Sequence, residues 1–142
     1  MVIYEPKKLL LEWASKGLFG SPDRFDEKDT VIGIAKNGRI ICAVVYTNYR
    51  IDTFCNPLSI ELSIYSIDKT WATRQNISTF FKYPFIQLGL KRVQTVCSAR
   101  DDGVIMFNQR LGFKQEGIHP EAFPDGGDAI SFGMLKGDCK WL

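Results

Sequence analysis

Histidine is nearly absent from this chain, with His119 the only one among 142 residues. Cysteine is sparse and scattered: Cys42, Cys55, Cys97 and Cys139 stand far apart, with no C-x-x-C pair. A structural zinc site draws on closely spaced Cys and His ligands, so no metal is expected, and a chain of this length can bury enough surface to hold together without a disulfide framework. The thiols are therefore expected to be reduced, in a cytoplasmic protein. Charge of one sign is also lacking. Eighteen Lys and Arg face sixteen Asp and Glu, a net +2, which excludes the broad basic surface of a dedicated nucleic-acid binder. No apolar run approaches the ~20 residues of a membrane helix. The opening Met1–Pro6 lacks the ordered basic and apolar regions of a signal peptide.

What is present is close to the globular average, with 45% hydrophobic, 24% charged and 13% aromatic residues. One domain over residues 1–142 is expected. Leu10, Leu11, Ala14 and Trp13 share a broad face of a short helix over Lys7–Lys16, with Gly17 and Gly20 available to end it. Asp23–Asp29 is charged and reads either as a loop or as a weak second helix. The period then changes. Thr30–Ala35 and Arg39–Tyr49 read as strands around an Asn37-Gly38 hairpin turn. In Leu58–Ser66, Ile60, Leu62 and Ile64 alternate with Ser59, Glu61, Ser63 and Tyr65, as in a half-buried strand. Ile77, Phe80, Phe81, Phe85 and Leu88 return to helical spacing, which Pro84 should bend and Gly89 should stop. Arg92–Ser98 reads as a strand, Asp101 or Asp102 can cap a helix running to Leu111, and Phe113–Ile118 and Ala129–Leu135 complete the pattern. The fold class is a single-domain α/β arrangement: a mixed, mostly antiparallel sheet with helices on both faces and a right-handed crossover in the middle.

Three segments, in this order, sharpen that picture. Tyr83-Pro84-Phe85 with Leu88–Val93, then Arg110-Leu111-Gly112-Phe113-Lys114-Gln115-Glu116-Gly117, then Asp128 with Phe132-Gly133-Met134-Leu135 resemble the helix-to-strand passage, the "KLGF-x-x-EG" segment and the "D…Y-G-M-L" final strand of the GNAT family of acyl-CoA-dependent N-acyltransferases. The nearest type is the ribosomal-protein N-acetyltransferase-like branch, and the resemblance spans about Thr30 to Trp141. It implies a fold whose two central parallel strands, here Leu58–Ser66 and Arg92–Ser98, splay apart to receive acetyl-CoA. The pyrophosphate would rest on the N-terminus of the intervening helix, where free N–H groups and the helix dipole favour an anion.

The resemblance also locates departures. The family's Q/R-x-x-G-x-G/A phosphate loop is replaced by Asp68-Lys69-Thr70-Trp71-Ala72-Thr73-Arg74-Gln75-Asn76, with no glycine. Cofactor contacts would then come from Lys69, Trp71, Ala72, Thr73, Arg74, Gln75 and Asn76, with Arg74 a fixed-charge fork for phosphate oxygens. Tyr65, Ser66 and Ile67 would offer backbone to the pantetheine and the thioester carbonyl, with Ser98 and Asp101 opposite. Many relatives carry a Tyr that protonates the leaving thiolate four residues before the Gly of "LGF"; this chain has Asn108 there. Glu61 is the expected general base, since a strand carboxylate near the thioester can take the amine proton. His119 and Cys97 are secondary candidates, each readable as an ordinary solvated or core residue. The expected activity is transfer of an acetyl group from acetyl-CoA to a primary amine, on a small molecule, a peptide N-terminus or a lysine, in a ternary complex. The alternative is a catalytically weak GNAT-like binding module acting on a protein partner. Either a monomer or a homodimer is compatible, with Trp141-Leu142 a possible dimer contact.

Overall fold

A computed structural model describes all residues 1–142. The elements run β1 (Val2–Ile3), α1 (Lys7–Phe19), β2 (Thr30–Lys36), β3 (Arg39–Ile51), β4 (Pro57–Ser66), α2 (Arg74–Lys82), β5 (Arg92–Ser98), α3 (Asp102–Leu111), β6 (Lys114–His119) and β7 (Ala129–Leu135). They form a seven-stranded sheet in the order β1-β2-β3-β4-β5-β7-β6, with β4 and β5 the only parallel pair. This is the expected mixed sheet with helices on both faces. No helix is long and apolar enough to cross a membrane.

Alternation along the strands divides the interior in two. Ile32, Cys42, Val44, Tyr46, Ile60, Leu62, Val93, Ile130, Phe132 and Met134 face α2 and α3, and pack with Phe80, Phe81, Phe85 and Leu111. Val31, Ala43 and Val45 face the opposite way, under Leu10, Leu11 and Ala14 of α1. The Tyr46 hydroxyl crosses the larger core to donate to the Phe80 carbonyl at 2.6 Å, tying β3 to α2.

Local chemistry accounts for the element ends. Asn37 (φ 52°) and Gly38 (φ 76°) form the β2–β3 turn with both residues at positive φ, as the hairpin twist requires. α1 runs through Gly17 and stops at Gly20 instead, which takes a left-handed conformation and donates to the Lys16 carbonyl. Gly17 has a packing reason to lack a side chain: a Cβ there would strike the Tyr65 ring. Asp23–Asp29 forms turns, not a second helix. At Pro84 the helix widens into a π-helical turn over Tyr83–Gln87, because proline has no N–H for the α pattern. The Leu88 N–H then reaches the Tyr83 carbonyl at 3.0 Å. The edge strand β1 had no sequence signal, being two residues long.

Candidate active site

β4 and β5 pair only at Ser59–Arg92, Ile60–Val93 and Glu61–Gln94. Past Glu61 they separate, while β4 stays on β3 as far as Ser66 and β5 stays on β7 as far as Ser98. The apex is closed by Thr95 Oγ1, which donates to the Leu62 carbonyl at 2.9 Å. That bond shows that Leu62 turns its backbone polar groups towards β5. Ile67, five residues on, donates its N–H to Ile41 of β3 at 2.9 Å. Strand residues alternate in the side they present, so Ile64 and Ser66 turn their N–H groups into the opening and Tyr65 turns its own towards β3. Of the expected pair, only Ser66 turns its N–H into the opening. Tyr65 instead packs its ring edge-on against Trp13 of α1, with centroids 5.1 Å apart.

The segment between β4 and α2, which has no glycine, is held by side-chain caps. Asp68 caps a 3-10 turn over Lys69–Trp71, accepting from the Thr70 N–H at 2.9 Å and the Thr70 hydroxyl at 2.7 Å. These bonds hold the Asp68 carboxyl below its ordinary range. Trp71 is 3% exposed, stacked on Phe80 and edge-on to Phe107. It is a core residue, so its ring is not free to pack on pantetheine. Thr73 caps α2 by accepting from the Asn76 N–H at 3.2 Å, and the Asn76 amide donates to the Trp71 carbonyl at 2.8 Å. The N–H groups of Trp71, Ala72 and Thr73 are spent on Asp68, Lys69 and Trp71 carbonyls. Those of Arg74 and Gln75 have no acceptor and point from the first turn of α2. Lys69 is exposed and has no carboxylate within 4 Å.

Glu61 stands at the apex, the last residue of β4 to pair with β5. It borders a cleft of about 430 Å³ lined by Phe19, Phe25, Asp26, Asp29, Asn48 and Ser63, with Arg24 and Thr47. Asn48, in a left-handed conformation (φ 52°) at an irregularity in β3, donates from Nδ2 to Glu61 Oε2 at 2.6 Å. Asparagine tolerates this conformation better than most residues, and the amide fixes which way the carboxylate faces. The cleft thus holds three carboxylates against one guanidinium. Asn48 carried no recognisable sequence signal, and Asp26 and Asp29 read only as part of a charged segment, because a strand irregularity and a loop bring them to Glu61.

Asn108 is buried, with Nδ2 3.9 Å from Cys97 Sγ of β5. Burial, assisted by the Asp101 carboxylate, pushes the Cys97 thiol up. It is therefore protonated at neutral pH and offers no thiolate nucleophile. Ser98 Oγ accepts from the Arg100 N–H at 3.2 Å and Asp101 caps α3 through the Val104 N–H at 3.1 Å, so both serve the turn after β5. His119 lies on edge strand β6, which β7 separates from β5; it is not part of the opening.

Solved structures share this fold. A spermidine N-acetyltransferase SpeG variant from Vibrio cholerae is 22% identical with a TM-score of 0.65, over 82% of this chain and 70% of that one. The fold is that of the GNAT acetyltransferases. A ribosomal-protein-S5-alanine acetyltransferase from Vibrio fischeri is 20% identical with a TM-score of 0.62, over 79% of this chain and 64% of that one. A probable acetyltransferase is 17% identical with a TM-score of 0.62, and the chain spans 63% of its length, under two thirds. No protein-family model and no curated protein matches the sequence. The splay past Glu61 lies where the sequence resemblance expected a ligand.

Proposed function

We propose that this chain transfers an acetyl group from acetyl-CoA to a primary amine by direct attack within a ternary complex. The observation that carries the reading is the opening itself: an unpaired backbone edge at Ile64 and Ser66, with a carboxylate, Glu61, at its apex and a polar cleft behind it. The Ser66 N–H donates to the thioester oxygen and polarises the carbonyl. Glu61, held by Asn48, accepts the proton the amine loses, directly or through one water. The amine nitrogen forms the new amide bond, the carbon–sulfur bond breaks, and the CoA thiolate departs. Asn108 has no acidic proton, but its amide can donate a hydrogen bond to that sulfur. Burial pushes the Cys97 thiol up, which favours direct attack over an acyl-enzyme.

Asp26, Asp29 and Glu61 outnumber Arg24 in the cleft, which favours an acceptor carrying positive charge. This suits a small polyamine, a lysine side chain or a peptide N-terminus. Four free thiols accord with a reducing compartment such as the cytoplasm.

A second reading has one observation in its favour. Only two free N–H groups remain at the phosphate position, and the Arg74 guanidinium is already engaged by the Lys140 carbonyl at 3.1 Å. A protein that holds CoA weakly would act as a binding module towards a protein partner. Titration calorimetry with acetyl-CoA separates the two, followed by a free-thiol assay over cationic and neutral amines. Binding with amine-dependent thiol release is expected; no heat at millimolar acetyl-CoA refutes the enzyme.

A further inference from the structure

The last residues supply what the phosphate loop lacks. After β7, a 3-10 turn over Lys136–Asp138 leads the chain back against the α2 and α3 layer, where Trp141 packs on the larger core. Its indole N–H donates to the Leu111 carbonyl at 2.7 Å, satisfying a carbonyl that the end of α3 leaves without a helical partner. Two cations sit over that ring. The Arg74 guanidinium carbon is 5.7 Å from its centroid and Lys140 Nζ is 5.1 Å away. Arg74 Nη2 also donates to the Lys140 carbonyl.

Neither cation has a carboxylate within 4 Å. Two like charges gathered on one indole repel each other, and the electron-rich ring face offsets that only in part. No ion pair neutralises either cation, and Arg74 itself opens α2, where its own N–H and that of Gln75 have no acceptor. In sequence, Lys140 and Arg74 are 66 residues apart; only the docking of Trp141 makes them neighbours.

We propose that Trp141 is a positioning residue for a phosphate group of acyl-CoA. Pinned to the end of α3, its ring gathers Arg74 and Lys140 at the start of α2, so that side-chain charge takes over from glycine backbone. Trp141 touches no reacting atom and acts through the two cations. The inference rests on the acetyl-CoA reading above.

The test compares acetyl-CoA with S-acetylpantetheine, which has the same thioester arm and no phosphate. Trp141→Ala should weaken acetyl-CoA by about three- to tenfold, as loss of one or two cation–π contacts implies. Affinity for S-acetylpantetheine and kcat at saturation should be unchanged. Trp141→Phe, which keeps an aromatic face, should recover most of the loss. Adding Trp141→Ala to Arg74→Ala/Lys140→Ala should cost little more. Equal weakening of both ligands, or unchanged acetyl-CoA affinity, would overturn the proposal while leaving the enzyme intact. If the wild-type protein binds no acetyl-CoA, the functional reading falls and this inference with it. Should Trp141→Ala lose its circular-dichroism signature, the exposed Arg74→Ala/Lys140→Ala pair carries the test. It must weaken acetyl-CoA alone and flatten the salt dependence, or the proposal fails.

Discussion

Replacing Trp71 with alanine should unfold this protein more readily and should not improve acetyl-CoA binding, although Trp71 occupies a position where the family resemblance expects glycine. Trp71 is 3% exposed, so nearly all of its side chain is removed from water. A buried aromatic of this kind covers roughly 150–250 Å², and at ~25 cal/mol per Å² that is about 4–6 kcal/mol. Measured truncations of buried Phe and Trp to Ala cost about 3–5 kcal/mol, against a total stability of roughly 5–15 kcal/mol. Collapse around the site is limited, because Phe80 is stacked on one side and Phe107 meets the ring edge-on. For a chain of this size, ~3–4 °C per kcal/mol gives a fall in Tm of about 10–20 °C. Trp71→Phe should lose less, since it keeps a ring against Phe80. Thermal unfolding followed by circular dichroism at neutral pH measures both. A Trp71→Ala Tm within about 3 °C of wild type would refute the reasoning, because a core residue cannot be removed so cheaply.

Glu61→Gln should lower kcat by about 10²-fold or more, the usual contribution of a positioned base, with acetyl-CoA affinity unchanged; steady-state thiol release checks it. The Arg92 guanidinium, paired with Glu116 across Gly133, holds the Glu116 carboxyl below its ordinary value. Its stabilisation is complete above the ordinary carboxylate pKa and is lost as pH falls through the lowered one. The pair is about one-third exposed, so its contribution should stay under ~1 kcal/mol. Urea midpoints of wild type and Glu116→Gln should differ at pH 7 and converge as pH falls through the lowered carboxyl value. Thiol labelling of the native protein should modify Cys55 first, because it is exposed, and Cys42 last, because burial leaves it inaccessible and pushes its thiol well up. All four should react in denaturant.

Much of the sheet was legible in advance because its signals are local. Strand alternation in Leu58–Ser66, the Asn37-Gly38 turn and the Leu111-Gly112-Phe113 passage each depend on neighbours a few residues away. The face that Glu61 presents was legible for the same reason, since it follows from the alternation. Asn48 was not, because it reaches Glu61 only through a strand irregularity whose twist cannot be read from residue types. Trp141 looked like an exposed tail residue suited to a dimer contact; the structure instead docks it between α2 and α3.

The sequence by itself determined the period of each element and the side of the sheet its residues face, because both follow from backbone geometry. It also determined that the segment between β4 and α2 has no glycine. Only the tertiary structure decided what that absence means. Packing drew Trp71 into the core and brought Trp141 beside Arg74, and contacts between elements distant in sequence are set by how whole elements stack, which no local pattern encodes.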